Sequence, residues 1–554
     1  MTKEFEKKKP TKSSGTTDEW LENTIGNFGK WQCWISFLLS LFKFPIAWIQ
    51  MSIIFLAPPT QFWCIPPIQY RNMTPEEWVE ISKPEVSLKL NHLNNGYCEM
   101  KPLNGSNETV PCPFGYEYNR TVFQSSIISE WDLICGNERL VDISQIVLMI
   151  GILVGNIIFG LYADRYGRKI VLIICIIMQT VFGFAATWAP CYWSFVSSRF
   201  LVALANGGTM VVSFVMCLEI VGGKWRAIIP ILIQAPFGIG YSLMAVFAYF
   251  IRNWRDFHFT ISVISSLFLW YIWLIPESPR WLFVKGRQVE GKRILKSASK
   301  FNGIDQDKFE ANFSKLNHYP IDAKKPSFRD LFSTPTIARR TIWLLAIWLF
   351  SGMSFFTLTQ YVGHVGQNIF LSSIAGGLLC IPGQVICLYM VNKFGRRNTI
   401  AFWTGINAIC FLAIIIFPKG AYPHDWQRML FAGIGIIGLS VTLCGIYLFT
   451  GELLPTVLRN TGLGLCSVCT RIGSMLAPVI VSLHDTAPFL PLLLLGIFNI
   501  VEMLLILILP ETKGKHLPEI ISDLECGKEY KPEKISTKSN NNYIGVPTQE
   551  NQKQ

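Results

Sequence analysis

Twelve mostly apolar segments of about twenty residues each limit the fold of this 554-residue chain more than any other feature. A helix of that length crosses the hydrocarbon core of a bilayer, and lipid permits only helices and closed barrels to span it. We therefore predict an all-α membrane protein with twelve transmembrane helices. The predicted spans are 31–56, 142–163, 169–189, 192–220, 227–251, 256–276, 340–362, 366–391, 397–418, 427–450, 459–482 and 487–509.

The basic residues predict the orientation of these spans. An even number of spans puts the tail 1–30, the loop 277–339 and the tail 510–554 on one side, together with the loops "ADRYGRK", "GGKWR" and "NKFGRRN". These segments are rich in Lys and Arg, so the positive-inside rule makes this side cytoplasmic. The formal charge of +12 then reflects topology, and we predict a plasma-membrane protein that binds no nucleic acid. Within 277–339, "GRQVEGKRILKSASKFNG" predicts a short helix.

The large loop 57–141 falls on the opposite, extracellular side. Four cysteines and several glycosylation sequons fit an oxidising environment, and the cysteines predict two disulfides whose pairing the sequence leaves open. The predicted disulfide residues are Cys64, Cys98, Cys112 and Cys135, and the predicted glycosylation sites are Asn104, Asn107 and Asn119.

Two halves of the chain, 31–276 and 340–509, repeat the same polar motifs at nearly one offset. "EIVGGKWR" contains Glu219 and Arg226, and "ELLPTVLR" contains Glu452 and Arg459 at the same spacing. "PES" recurs as "PET", and "DRYGRK" recurs as "NKFGRR". Such internal repeats are typical of secondary transporters. We interpret the charges as ion pairs that hold the halves together on the cytoplasmic side, or alternatively as charges that only anchor the helix ends.

Arg471 stands near the middle of an otherwise apolar span. A charge at the bilayer centre costs on the order of 3 kcal/mol, so such residues usually face a protein interior or an aqueous cavity. Small and polar residues follow Arg471 along one helical face, which predicts that this face points inward. The face comprises Asn460, Gly464, Ser467, Arg471, Ser474 and Pro478.

Lys43 in the first span lies on a similar polar face with Gln50. Arg199 and Glu502 are further charges within spans. We interpret Arg471, and after it Lys43, as substrate-binding residues; the alternatives are internal ion pairs or side chains that extend to the interface. The other predicted substrate-binding residues, which could line the same cavity or simply pack between helices, are Gln50, Gln234, Tyr241, Tyr361, Tyr447, Ser467 and Ser474.

The sequence offers no nucleophile–base pair, metal-ligand spacing or phosphate-binding loop on a solvated face, so no enzyme activity, cofactor or metal is expected. The expected partners are a small organic ion as substrate, the lipid bilayer and a coupling or exchange ion. Acids within the spans are few, which favours facilitated movement, exchange or sodium coupling over proton symport.

The quoted motifs resemble solute carrier family 22, the organic cation, anion and zwitterion transporters of the major facilitator superfamily. "GYEYNRTVFQSSIISEWDLICGNERLVDISQIVLMIGILVGNIIFGLYADRYGRK", "PESPRWL", "NKFGRR" and "ELLPTVLRNTGLG" carry the resemblance. It implies the major facilitator fold, alternating access and a cytoplasmic gating motif made of Asp164, Arg165, Gly167 and Arg168. The second copy contains Arg396 and Arg397 but begins with Asn392 in place of an acid, which predicts a weaker contact.

Two positions depart from the pattern of the family's cation carriers. Those carriers typically have an acid at the place of Arg471 and another before Ile-Pro, where this chain has Cys380. "TRIGSMLAP" is similar to anion carriers and to carnitine-type zwitterion carriers, and "KFPIAWIQMSIIFLAPP" is similar to insect members that include carcinine and beta-alanine carriers. We therefore predict a transporter of carboxylate-bearing zwitterions first and organic anions next. The alternatives are an organic cation carrier and a non-transporting membrane sensor.

Overall fold

The apolar segments of the sequence form long α-helices. The computed structural model describes residues 24–83, 98–101, 109–223, 225–314, 328–365, 368–417, 425–455 and 458–514. In the first half, the helices are α1 (Lys30–Leu41), α2 (Lys43–Met51), α3 (Ile53–Leu56), α4 (Pro75–Ser82), α5 (Ile127–Trp131), α6 (Arg139–Tyr166), α7 (Arg168–Thr187), α8 (Tyr192–Ile220), α9 (Trp225–Leu232), α10 (Ala235–Phe250), α11 (Trp254–Ser266) and α12 (Tyr271–Leu274).

The helices continue through the segment between the halves and the second half. They are α13 (Pro279–Val284), α14 (Gln288–Asn302), α15 (Gln306–Ser314), α16 (Pro335–Val365), α17 (Ile369–Phe394), α18 (Arg396–Ile416), α19 (Trp426–Leu453), α20 (Arg459–Thr486) and α21 (Leu490–Ile508). The helix predicted within 277–339 is thus present as α14.

Eleven helical stretches in the described ranges are long and apolar enough to cross a membrane, and Ala235–Phe250 is a shorter apolar helix. Together they correspond one for one to the twelve predicted spans. The bounds differ by a few residues: the second span extends to Arg139–Tyr166 and the seventh to Pro335–Val365.

The sixth predicted span passes through a short 3-10 segment, Leu267–Trp270, between α11 and α12. The first and fifth predicted spans are also interrupted. The first breaks at Phe42, between α1 and α2, because Pro45 has no N–H to donate to the carbonyl of Leu41. The fifth breaks before Gln234, and α10 restarts with a proline in its first turn. Both breaks place polar residues, Lys43 and Gln234, close to the middle of the bundle.

The loop predicted to be extracellular forms two small antiparallel ladders. Strand β1 (Phe62–Cys64) pairs with β4 (Tyr116–Tyr118), and β2 (Glu99–Met100) pairs with β3 (Val110–Pro111). Disulfides join Cys64 to Cys112 and Cys98 to Cys135, which gives the pairing that the sequence left open. Asn119 lies half-buried beside β4, whereas Asn104 and Asn107 lie outside the described residues. We call this end of the molecule the disulfide end.

The opposite end, which contains the turn at Gly167, the turn at Gly395 and helices α13 to α15, is called the basic end. The two glycines have φ angles of +120° and +97°, which few other residues adopt. A Cβ built on Gly167 would lie 2.5 Å from Glu277 Oε2, and one on Gly395 would lie 2.7 Å from Glu511 Oε2. The two halves therefore have equivalent glycine turns, and each turn packs against an equivalent glutamate carboxylate.

Candidate functional site

A central cavity lies between the two halves and contains about 770 Å³ of empty space, open solvent included. Its first-half wall comes from α2, α8, the break before α10 and α10 itself; its second-half wall comes from α16, α17, α19 and α20. The polar lining residues are Lys43, Gln50, Gln234, Gln384, Ser440, Tyr447, Thr470 and Arg471. The apolar lining includes Met210, Phe237, Phe355, Phe356 and Leu443. Its mixed polar and apolar lining is typical of sites for small organic molecules.

Arg471 enters the cavity from α20 and is only 7% exposed. Its Nη2 lies 3.2 Å from Met210 Sδ of the first half, and the guanidinium carbon lies 5.6 Å from the Phe356 ring centroid. The Nε and Nη1 atoms have no hydrogen-bond partner. The guanidinium therefore retains N–H groups without a partner, which could donate hydrogen bonds to the two oxygens of a planar group such as a carboxylate.

Close packing of α20 against α16 fixes the position of Arg471. A Cβ built on Gly473 would lie 2.2 Å from the carbonyl oxygen of Leu349, so only glycine permits the two helices to approach this closely. The Oγ of Ser474 donates a hydrogen bond to the carbonyl oxygen of Arg471 at 2.7 Å. The charged side chain is therefore carried on a rigid helix pair.

Lys43 is the first residue of α2 and is 4% exposed. Gln50 lies two turns further along the same helix face. The indole of Trp48 donates to the carbonyl oxygen of Gly240 at 2.8 Å and so fixes α2 against α10. Lys43 and Arg471 line the same cavity, so the two cations share one site.

No acidic side chain of the described residues lines this cavity. Glu502, the acid predicted within the last span, is fully buried beside Ser351 instead. The cavity thus combines two adjacent positive charges with neutral amide, hydroxyl and aromatic groups. Such a site attracts negative charge, because the two cations repel each other in a poorly solvated environment and a bound anion offsets that repulsion.

The structure brings together five of the predicted substrate-binding residues, namely Lys43, Gln50, Gln234, Tyr447 and Arg471. The other four lie outside the cavity lining. Tyr241 donates to the carbonyl oxygen of Thr359, and Tyr361 contacts His484 and the carbonyl of Pro488. Ser474 lies 3.6 Å from Met149 Sδ, and Ser467 is likewise absent from the lining. A helical face specifies direction but not which neighbouring helix covers each turn, which is why these residues could not be separated from the sequence.

Sequence reasoning missed other lining residues. Phe355, Phe356, Gln384, Ser440 and Thr470 contribute to the walls, although none was predicted. In the sequence, the adjacent residues Phe355 and Phe356 could not be distinguished from ordinary core residues, although both line the cavity. Gln384 directly follows "CIPG". Its amide near the middle of a predicted span was the one sequence signal that could have marked it as a lining residue.

At the basic end, Arg168 is the centre of a polar network in the first half. Its guanidinium contacts Glu219 at 2.9 Å and Asp164 at 2.8 Å. The carboxylate of Glu277, from the "PES" motif, accepts the backbone N–H groups of Arg168 at 2.9 Å and Lys169 at 3.1 Å. Arg165 is close to the Tyr166 ring and does not replace Arg168 in this network.

The second half repeats this network with one contact fewer. Arg396 pairs with Glu452 at 2.7 Å, and the Glu511 carboxylate of "PET" accepts the N–H of Arg396 at 2.9 Å. Asn392 donates to the carbonyl of Leu388 rather than joining the network. The Nε of Arg397 donates to Asn398 at 3.4 Å. The missing acid at Asn392 therefore removes one ion pair, as the motif comparison predicts.

These pairs change the interpretation of the repeated charges. Arg168–Glu219 joins α7 to α8 within the first half, and Arg396–Glu452 joins α18 to α19 within the second half. In this structure, both pairs therefore stabilise the interior of one half rather than link the two halves. The side chain of Arg226 lies outside the described set, and Arg459 begins α20 at the same end.

Comparison with known proteins places the fold. The profile of the sugar (and other) transporter family matches residues 118–524. The inward-open structure of the xylose transporter XylE from E. coli superposes with a TM-score of 0.62, covering 89% of this chain and 99% of that chain at 16% identity. This similarity shows the major facilitator fold, in agreement with the predicted architecture.

Curated relatives match over nearly the whole chain. An organic cation transporter-like protein of Drosophila melanogaster is 31% identical over 529 residues, with 92% of each chain covered. Solute carrier family 22 member 3 of Rattus norvegicus is 32% identical, with 92% of this chain and 98% of the relative covered. Organic anion transporter 3 of Sus scrofa is 30% identical, with 94% and 96% covered. Relatives named for cations and for anions are thus about equally similar.

Proposed function

The chain belongs to solute carrier family 22, within the sugar (and other) transporter family of the major facilitator superfamily, and we propose that it carries small organic carboxylates across the membrane by alternating access. The observation that supports this cargo is the pair of buried cations, Lys43 and Arg471, in a central cavity without an acid among its described lining residues.

A carboxylate suits the unpaired donors of Arg471. A guanidinium presents parallel N–H groups that match the two oxygens of a carboxylate, and such charge-assisted contacts are among the strongest polar interactions in proteins. Lys43 adds a compact second positive charge nearby. Binding an anion relieves both the repulsion between the cations and the cost of their incomplete solvation.

The remaining lining suits an organic body of moderate size. Phe237, Phe355 and Phe356 provide apolar and aromatic surface, and Gln50, Gln234 and Gln384 provide hydrogen bonds. An ammonium group would find ring faces, amide oxygens and the hydroxyls of Ser440, Tyr447 and Thr470, but no described carboxylate. The cavity therefore favours organic anions first and zwitterions second, the reverse of the order predicted from the sequence.

An organic cation carrier is the second candidate, supported by the relatives named for cation transport. It would require the cavity to accept a third positive charge beside Lys43 and Arg471. Aromatic walls alone offer roughly 0.5–2 kcal/mol per cation–π contact, which is small against that repulsion.

An uptake panel tests the proposal in one expression system, with and without sodium. The panel contains para-aminohippurate, beta-alanine, carnitine, carcinine and tetraethylammonium. We expect para-aminohippurate to be accumulated, carnitine and beta-alanine to compete more weakly, and tetraethylammonium and carcinine to be neither carried nor competitive. Uptake of tetraethylammonium that organic anions do not inhibit would instead establish the cation carrier. Ligand binding without accumulation in proteoliposomes would indicate a sensor.

A further inference from the structure

A second, smaller cavity lies inside the first half of the protein, and the proposed transport cycle makes no use of it. It is bordered by α2, α7, α8 and α11, with Leu148 of α6, and has a volume of about 20 Å³, which is room for about one water-sized ion. Its polar lining residues are Ser52, Gln179, Arg199, His258, Ser262 and Ser265. Polar cavities inside a membrane bundle are costly and usually functional.

Arg199 is the one charged residue of this lining, and its charge is uncompensated. The residue is 2% exposed, and its Nη2 donates to Gln145 Oε1 at 3.3 Å. Its Nη1 has no hydrogen-bond partner, and its nearest aromatic neighbour, the Phe195 ring, is centred 5.5 Å from the guanidinium carbon. A neutral amide and a ring face do not replace the solvation that a buried cation loses.

The other lining groups cannot supply a negative charge. The described lining contains no Asp or Glu. The hydroxyls of Ser262 and Ser265 donate to backbone carbonyls at 2.8 and 2.7 Å, so they are held as neutral groups. His258 Nδ1 lies 3.0 Å from Thr187 Oγ1, which fixes the imidazole ring. The cavity therefore combines one unpaired guanidinium nitrogen, Arg199 Nη1, and the amide of Gln179 with no anionic acceptor among the described lining residues.

We propose that this cavity binds one small monovalent inorganic anion of the chloride class, held by Arg199 and by the amide of Gln179. The cavity volume of about 20 Å³ suits one small ion and leaves no room for the organic ions assigned to the central cavity. Helices α7 and α11 pack closely beside it, since a Cβ built on Gly183 would lie 3.0 Å from Ser262 Oγ. The anion site is separate from the cargo site and does not depend on the identity of the cargo.

A chain of amide contacts links the anion site to the central cavity. Arg199 donates to the side chain of Gln145, whose Nε2 donates to the backbone carbonyl of Gln50 at 3.0 Å. Gln50 lines the central cavity and also contacts Asn206. An anion that orients Arg199 thereby orients Gln50, so anion binding changes the affinity for cargo.

Thermal stability of the purified full-length protein in lipid nanodiscs tests the site without any organic substrate. Sodium chloride and sodium bromide are titrated against sodium methanesulfonate, which is not a carboxylate, at constant ionic strength. We expect a saturable rise in Tm of a few degrees with chloride and bromide, since a ligand that binds only the folded state stabilises it. Arg471→Ala should retain this rise, whereas Arg199→Gln should weaken the apparent anion affinity at least tenfold.

Arg428→Gln is the matched control, because Arg428 is the buried cation near the start of the related helix α19 and donates to the carbonyl of Phe417 at 2.8 Å. It should keep the anion response. Equal Tm in chloride and methanesulfonate, or a response lost in Arg471→Ala but kept in Arg199→Gln, would overturn the proposal. If Arg199→Gln does not fold, anomalous scattering from bromide in crystals of the wild-type protein decides: a peak beside Arg199 supports the site and its absence refutes it.

Discussion

Arg471 and Lys43 show how a membrane protein can retain charge near the bilayer centre. Each side chain stands on the polar face of a mainly apolar helix, and both reach the same cavity. Insertion of such a residue costs on the order of 3 kcal/mol, which is tolerable in a large bundle. Under the proposed function, the charge is an unfavourable feature of the empty cavity that a bound anion would remove.

Replacing Arg471 should separate the charge of the residue from its shape. We expect Arg471→Ala to raise the KM for a carboxylate substrate at least tenfold, because a hydrogen bond to a charged group contributes about 1.5–3 kcal/mol. Arg471→Lys keeps the charge but loses the bidentate geometry, so its KM should lie between those of Arg471→Ala and the wild type. Initial uptake rates, normalised to surface expression, measure both. Unchanged KM in Arg471→Ala would contradict the assignment.

Lys43→Gln should weaken carboxylate binding less than Arg471→Ala does. The ammonium acts as a point charge, and at an effective dielectric constant of about 20 a charge several ångströms from the substrate contributes roughly 2 kcal/mol before screening. We therefore expect a KM increase of about three- to tenfold, measured by competition uptake. Lys393→Gln, an exposed residue at the basic end, is the matched control and should leave KM unchanged. An effect of equal size in both variants would show that Lys43 acts only through the overall charge.

At the level of elements, the repeated turn at the basic end explains why the motif of glycine, arginine and a distant glutamate occurs twice. Glu277 caps the start of α7 and Glu511 caps the start of α18, and each lies against a glycine of positive φ. A carboxylate at a helix N-terminus is stabilised by free N–H groups and by the helix dipole. The motif therefore stabilises the turn that connects two consecutive helices in each half.

Glu511 makes the stability of the turn at Gly395 pH-dependent. Partial burial alone would raise its pKa, but the backbone N–H groups of Lys513, Arg396, Thr512 and Asn398 outweigh that effect and lower the pKa below 4.5. A carboxyl whose folded pKa is lowered stabilises the protein above its unfolded value and loses this contribution as the pH falls through the folded value. We expect Glu511→Gln to lower Tm at pH 7 and to approach the wild type below about pH 4. Thermal unfolding in detergent measures this. A difference that persists unchanged at low pH would contradict the assignment.

Across the whole molecule, the halves contact each other firmly between the central cavity and the disulfide end. Ser242 of α10 donates to the carbonyl of Ile374 on α17 at 2.9 Å, and Phe55 stacks on Phe370 with ring centroids 5.8 Å apart. On the other side of the cavity, Phe214 meets Tyr447 at 6.2 Å. Alternating access requires the contacts at the disulfide end to open in part of the cycle.

Cross-linking across that contact should stop transport. We expect the double variant Ser242→Cys with Ile374→Cys, treated with a short bifunctional thiol reagent that reducing agents cleave, to lose uptake and to regain it on reduction. Each single variant is the control, because exposed native cysteines such as Cys33 and Cys191 also react. Undiminished uptake in a fully cross-linked sample would exclude opening between α10 and α17.

Hydropathy, helical period and motif spacing are local properties of the sequence, and they were sufficient to locate the twelve spans, the two repeated halves, the cysteines of the large loop and the cations on polar helix faces. That Lys43 and Arg471 share one cavity while Arg199 lies in another depended on tertiary packing, as did the hydrogen bonds of Tyr241 and Tyr361 to backbone carbonyls away from the central cavity. A helical period gives the direction of a side chain, whereas the partner that the side chain meets depends on how distant helices pack.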